Sequence, residues 1–270
     1  MSKILENRNF MKCPSFSEEM AKSDQQNGVP APPVNLAPKT GEIITLPAFD
    51  GVVAEDGYTN LLDIRRSVRV YDDTKPMTGA QLAYMCHTAL GIQEFRGVEN
   101  YATLRPAPSG GARHPFELYV AVQNVDGVAP GLYHYLPLEN VGKKAVALER
   151  ISHIEDFKPT ITDMVLGQKW AENASVTFFI TCVAYRAEWR YRELAHRVML
   201  IDLGHVGQNM MLSAAALGLG SCCLAAYNQG SCDRVLGLDG VDEYTVYGVA
   251  VGWPKESAPD RATGQHHTKT

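Results

Sequence analysis

The sequence predicts an α+β fold in which helices flank a central mixed or antiparallel sheet. Three observations lead there. The runs FELYVAVQ (116–123) and GLYHYLP (131–137) are strand-like and joined by the turn-rich NVDGVAP, a hairpin pattern. The run VTFFITCVA (176–184) is β-branched and apolar on both faces, as a buried central strand must be. Around these lie stretches with apolar residues at helical spacing, so the two element types alternate only loosely.

Residues 1–54 read as an extended arm, with a polar helix-like piece around Ser15–Lys22 leading into GVPAPPVNLAPKTGEIITLPAFDG. Pro30, Pro32, Pro33, Pro38 and Pro47 forbid a regular helix there. Such an arm either hangs free or wraps over a neighbour, and the apolar Ile43, Ile44, Leu46 and Phe49 favour wrapping. A folded domain is expected over 55–256, with 257–270 as a tail. It opens with a short helix bearing Leu61, Leu62 and Ile64 that runs into RRSVRVY. Thr78 begins Thr-Gly-Ala-Gln, a capping box ahead of Leu82, Met85, Ala89 and Leu90, and Gly91 fits the stop. The loop LRPAPSGGARHP precedes the hairpin, and a helical or irregular stretch leads from the hairpin to Val176. The longest helix is expected from about Trp189 to Leu217, apolar nearly all round in its second half and stopped at Gly218 and Gly220. Gly204 and Gly207, three apart, would let another helix approach closely. After SCCLAAY come a short helix near Cys232–Leu236 and a last strand, YTVYGVAVG (244–252).

Composition limits the function classes. With 45% hydrophobic and 20% charged residues the chain is an ordinary globular one, not disordered, collagen-like or coiled-coil. A net charge of −5 gives no global attraction for nucleic acid or anionic membrane, so an anionic ligand needs a local positive cluster. No stretch approaches the roughly 20 apolar residues of a membrane span, and the N-terminus has no secretory-signal pattern. The cysteines at 13, 86, 182, 222, 223 and 232 form no CxxC pair. A cytoplasmic enzyme without a metal is the expectation.

Four segments could carry chemistry. Arg65, Arg66, Ser67 and Arg69 form the sharpest positive cluster, suited to a phosphate monoester; the alternative is a solvated patch paired with Asp63, Asp72 and Asp73. The loop Pro108, Ser109, Gly110, Gly111 lets backbone approach a ligand, with Arg113 and His114 adding polar contacts, though a plain turn fits equally. The segment 216–227, including Gly220, Ser221 and Cys222, offers a side-chain-poor surface for a planar ring, or simply tight packing. Asp202, His205 and Asn209 line one face of the long helix and read as structural, at a helix–helix or subunit contact. No dinucleotide fingerprint, Walker A, HExxH or GxSxG pattern is present.

Taken in order, RRSVRVYDD, RPAPSGGARHPFELYV, PGLYHYLP, HRVMLIDLGHVGQNMMLSAAALGLGSCCL and YGVAVGWP resemble the nitroreductase superfamily. Within it they are similar to the SagB-type dehydrogenases, the group that includes azoline oxidases of thiazole/oxazole peptide biosynthesis. The resemblance covers roughly residues 55–255. It implies an FMN-binding α+β fold, a homodimer formed through long helices, and FMN at the subunit interface. It implies that Arg65, Arg66, Ser67 and Arg69 hold the FMN phosphate and ribityl chain. Pro108, Ser109, Gly110 and Gly111 would reach the ribityl and ring edge, and Gly220, Ser221 and Cys222 would lie against the isoalloxazine. Lys255 or Arg261 would complete the phosphate site.

The implied activity is hydride transfer between flavin and a small or flat organic substrate, with NAD(P)H as donor. Arg190 and Tyr191 fall where azoline oxidases carry a Lys–Tyr pair. A guanidinium, with a pKa above about 12, is no ordinary base, whereas it can dock an anion. That departure, and the lack of the long N-terminal peptide-binding region of azoline oxidases, count against a peptide heterocycle oxidase. Azoline-type dehydrogenation and a non-catalytic flavin-binding protein stand as alternatives.

Overall fold

A computed structural model describes residues 22–48 and 57–255. The helix-like piece expected from Ser15, the anchor Phe49, Cys13 and Arg261 lie outside the described residues. The strands are β1 (Ile43–Leu46), β2 (Met77–Thr78), β3 (Glu94–Arg96), β4 (Ala102–Leu104), β5 (Phe116–Val122), β6 (Val125–Asp126), β7 (Gly131–Tyr135), β8 (Val146–Ser152), β9 (Val176–Val183), β10 (Gly220–Leu224) and β11 (Glu243–Gly252). The helices are α1 (Tyr58–Ile64), α2 (Gly79–Leu90), α3 (Phe157–Met164), α4 (Tyr185–Tyr191), α5 (Ala195–Ala216) and α6 (Gln229–Leu236).

Seven strands form one sheet in the order β1-β8-β7-β5-β9-β11-β10. Every pairing in it is antiparallel, which decides between the mixed and antiparallel alternatives. Its central strands are buried on both faces because alternate side chains enter two separate cores. Phe116, Leu118, Val120 and Val122 of β5 join Phe178 and Ile180 of β9 in a core covered by α2 and α5. Tyr119, Ala121 and Phe179 point the other way, into a core closed by α3 and α6.

Local chemistry sets the helix ends. Thr78 accepts from Gln81 N at 3.1 Å while the Gln81 side chain accepts from Thr78 N at 2.9 Å, the expected capping box of α2. At the end of α5, Gly218 takes φ +70°, with Gly218 N bonded to Ala215 O and Leu219 N to Ala214 O, a Schellman stop that explains the halt there.

Three expectations are corrected. The helix from Trp189 to Leu217 is not continuous: Arg192, at φ 48° and ψ −128°, breaks it into α4 and α5 through a short 3-10 turn over Arg192–Leu194. The stretch before Val176 holds the strand β8 besides α3; its Glu149 and Arg150 masked the apolar alternation. Gly207 is closed to another helix, because it receives the Tyr247 ring of the same chain, where an added Cβ would lie 2.9 Å from that ring; Gly204 faces open space and stays accessible to one.

The proline-rich arm wraps over its own chain. Ile43–Leu46 pair with β8 as an edge strand, and buried Leu46 enters the core. Upstream, buried polar groups bind the arm where α3 and α6 do not cover the sheet. Glu117 accepts from the Asn35 amide at 3.2 Å and from Leu36 N at 3.3 Å, and Glu149 accepts from Gly41 N at 2.9 Å. Arg105 donates to Val34 O and Asn35 Oδ1. Glu117 is held in turn by Arg186 at 2.6 Å and by His134 at 2.9 Å. No helix among the described residues is long and apolar enough to cross a membrane.

Candidate active site

The arginine-rich segment leaves α1 in extended conformation because two strands capture it. Ser67 bridges Ser221 of β10 in parallel register, with Val68 N donating to Ser221 O at 2.9 Å. Tyr71 bridges Pro254, and Lys255 N donates to Val70 O, so the chain after β11 runs along the same segment. Gly220 makes the approach to β10 possible: a Cβ there would lie 2.7 Å from the Val68 Cβ. A cleft of about 190 Å³ opens beside the bridge, lined by Arg65, Arg66, Val68, Met211, Ala215 and Ser221, among others.

Among the described residues, Arg65, Arg66 and Arg69 have no carboxylate partner. Asp72 is turned to Thr74 and Asp73 to Lys158, which removes two of the three acids expected to neutralise them. Arg66 donates to Arg65 O, and Arg69 lies over the Trp170 ring at 5.7 Å. Cys222 is buried on β10, so the backbone of Gly220–Ser221 is the part of that segment that meets the arginine strip. Lys255 is brought alongside Val70 near this strip.

The glycine loop is a second group. Pro108 is exposed and leads into Ser109, whose hydroxyl donates to Asp202 Oδ2 at 2.6 Å. Gly110 N donates to both Asp202 oxygens at 3.1 Å. Burial raises the Asp202 pKa, and these donors oppose the rise. Gly111 sits at φ +58°, where a Cβ would lie 2.8 Å from both the Arg190 stem and the Tyr191 hydroxyl; at Gly110 it would meet Val198 at 2.4 Å. Arg190 and Tyr191 therefore pack directly on the loop. His114 is buried, contacts Thr103 O at 3.0 Å, and has its pKa driven down to about 3, chiefly by burial, with Arg105 adding. It is a neutral structural imidazole.

Two residues outside the predicted site set complete this corner. Tyr101, in the turn that joins β3 to β4, takes a hydrogen bond from Arg190 at 3.0 Å and lies 4.5 Å from the Arg113 guanidinium. Trp189 covers the same guanidinium at 5.1 Å and donates to Val29 O of the arm. The polar stripe on α5 divides: Asp202 holds the loop, Asn209 donates to Thr88 O and Ser213 to Thr88 Oγ1 as a helix–helix contact, and His205 is exposed.

The structure thus joins Arg65–Arg69 to Gly220–Ser221, and Ser109–Gly111 to Arg190–Tyr191, but sets the two groups at opposite ends of α5. Ala215 lines the first and Asp202 anchors the second. At 1.5 Å per residue, these helix positions are about 20 Å apart. Among the described residues there is no group of three or more His, Cys, Asp or Glu able to hold a metal.

Comparison with known proteins agrees with this architecture. The description "Nitroreductase family" matches residues 62–253. A nitroreductase-type protein of Methanocaldococcus jannaschii is 30% identical over 209 residues, spanning 77% of this chain and 95% of that protein. The trifolitoxin-processing protein TfxB of Rhizobium leguminosarum is 36% identical over 153 residues, which are 53% of this chain but only 39% of TfxB. That likeness bears out the SagB-type resemblance. The crystal structure of a nitroreductase-type protein from Ralstonia eutropha shares the fold with a TM-score of 0.58 at 23% identity, covering 84% of this chain and 99% of that one. The chain belongs to the nitroreductase family of oxidoreductases.

Proposed function

We propose that the chain is a homodimeric, FMN-dependent oxidoreductase that moves hydride between the flavin and a small flat organic substrate, with NAD(P)H as electron donor. One observation carries it: Arg65 and Arg66, without carboxylate partners among the described residues, line a cleft together with Ser221, where the same segment bridges β10 and continues to Arg69. Fork-shaped donors suit a phosphate monoester, and Gly220 lets the segment that carries them pack closely on β10. The residues present therefore fit FMN.

Arg65, Arg66 and Arg69 would hold the phosphate, and Ser67 and Ser221 would fix the strip against β10. When bound, the flavin supplies the hydride chemistry, so no nucleophile is required of the protein. Arg190 supplies a fixed positive charge. The Tyr191 hydroxyl, against Gly111, is the group that can hold or release a proton at a substrate heteroatom.

Dimerisation is supported by the division of the site. Next to the Asp202 anchor α5 exposes Leu200 and Ile201, and between it and the cleft Gly204 and Gln208. A second copy packed antiparallel on that face would bring one chain's glycine loop to the other's arginine cleft. The visible absorption spectrum of purified protein, with the released cofactor identified, tests the proposal. Bound FMN is the expected result; colourless protein that takes up no added FMN overturns it.

A second reading, dehydrogenation of an azoline in a modified peptide, is favoured by the 36% identity with TfxB. Arg190 in place of lysine weighs against it. Steady-state turnover of NADH with a quinone, set beside oxidation of an azoline peptide, separates the two and also exposes a flavin carrier without turnover.

A further inference from the structure

We propose that Arg190, backed by Arg113, forms an anion-binding corner that selects planar substrates bearing a carboxylate. The proposal deepens the oxidoreductase reading and rests on it for the identity of the corner as the substrate side of the site.

Two guanidiniums meet here without a counter-charge among the described residues. Arg113 is 7% exposed and lies against the rings of Tyr101 and Trp189. It donates to Gly111 O and Tyr101 O, which fix its plane and leave its charge uncompensated. Arg190 is half-buried, lays its stem on Gly111, and among the described residues donates one hydrogen bond, to the neutral Tyr101 hydroxyl. The nearby acids are engaged elsewhere: Glu188 faces His196 at 3.2 Å, and Asp202 is bonded to Ser109 and Gly110. Burial lowers the Arg113 pKa, and Arg190 lowers it further; the groups that oppose the shift are Tyr101 and Tyr191, with no carboxylate among them.

Like charges held together in a partly dry corner repel, and a bound anion converts that cost into attraction. A carboxylate matches the remaining edge of the Arg190 fork, whereas a neutral amide offers one acceptor and no charge. Tyr101, Trp189 and Tyr191 surround the corner with aromatic surface, which suits a flat molecule. The arm closes its outer side: Gln25 N donates to Trp189 O at 2.9 Å, and the Gln25 amide reaches the Tyr101 hydroxyl.

The test is calorimetric titration of the purified full chain with 4-nitrobenzoate and, separately, 4-nitrobenzamide, with the flavin spectrum recorded on the same sample. The acid is expected to bind at least tenfold tighter than the amide. In Arg190→Gln that preference falls below threefold, and Arg190→Lys, which keeps the charge but not the fork, retains part of it. Equal affinity for acid and amide, or a preference that survives Arg190→Gln, overturns the proposal. Arg113→Gln also removes two backbone contacts, so its folding is checked by Tm, and Arg190→Gln is the deciding variant. Because binding is read as heat, the flavin assignment can fail separately: colourless protein that still prefers the acid keeps the anion corner and loses the flavin.

Discussion

The carboxylate of Asp202, on α5, meets the hydroxyl of Ser109 at 2.6 Å and so ties the long helix to the glycine loop. Gly110 N shares the same carboxylate, and Ser109 Oγ also accepts from His114 N at 3.0 Å. One buried acid thereby orders a turn whose residues Gly111, Ala112 and His114 all adopt positive φ. Asp202→Ala leaves the Ser109 and Gly110 donors unpaired. We expect a loss of about 1–3 kcal/mol in chemical denaturation. Asp202→Asn, which keeps one acceptor oxygen, should lose less.

Gly220 decides whether the arginine strip can reach the sheet. Gly220→Val would drive a branched side chain into Val68, whose Cβ lies 2.7 Å from even an added Cβ. A cost of about 1–3 kcal/mol is expected from such overpacking. The Ser67–Ser221 bridge should open with it. Flavin retention through gel filtration, measured beside Tm, should fall more steeply than stability does.

Removing one charge from the strip should weaken phosphate binding without unfolding the protein, since Arg65, Arg66 and Arg69 are not core residues. A charge-assisted hydrogen bond contributes about 1.5–3 kcal/mol. Arg65→Ala or Arg66→Ala should therefore raise the FMN Kd by about 10- to 100-fold, read by flavin fluorescence titration. Unchanged affinity in both variants would place the phosphate elsewhere.

Acid should destabilise the fold in two overlapping windows. Burial would raise the Glu117 pKa, but Arg186 and His134 outweigh it and hold the carboxyl at about 2, below its ordinary 4.5. Its contribution is present above pH 4.5 and is lost as pH falls through about 2. His114, depressed from 6.5 to about 3, is neutral in the folded state, so stability falls as pH drops below 6.5 and the unfolded chain takes up the proton. Asp202 acts with the opposite sign, because its raised pKa favours the folded state at lower pH. Denaturation curves at pH 7, 5.5 and 4 should show falling stability. His114→Asn, compatible with φ 43°, should flatten the step between 7 and 5.5.

The buried pair Glu117–Arg186 should resist single replacement. Arg186→Met leaves a carboxylate in the core facing only His134 and the arm, and a loss of about 3–5 kcal/mol is expected. The double variant Glu117→Gln/Arg186→Met should recover part of it. Limited proteolysis should then cut the arm between Asn35 and Gly41 faster, because Glu117 binds Asn35 and Leu36 directly.

The central strands, the capped helix α2 and the Gly218 stop are legible in the amino-acid sequence because each is written in neighbouring residues. The apolar run of β5, the β-branched and apolar faces of β9 and a Thr-to-Gln spacing need no distant partner to be read. Arg65–Arg69, Ser109–Gly111 and Gly220–Ser221 likewise stand out as candidates through their order along the chain, whereas Arg190–Tyr191 is singled out only by the resemblance to azoline oxidases. Which of their charges are paired emerges only on folding. Asp72 and Asp73 turn away from the arginines, Asp202 turns toward Ser109, and Tyr101 arrives from a hairpin with no readable motif. The strand β8 stayed hidden because Glu149 counts as polar until the arm supplies its donors, and the break at Arg192 follows no local propensity rule. Periodicity is a property of a few consecutive residues, whereas the partner of a charge is chosen by segments that meet only after folding.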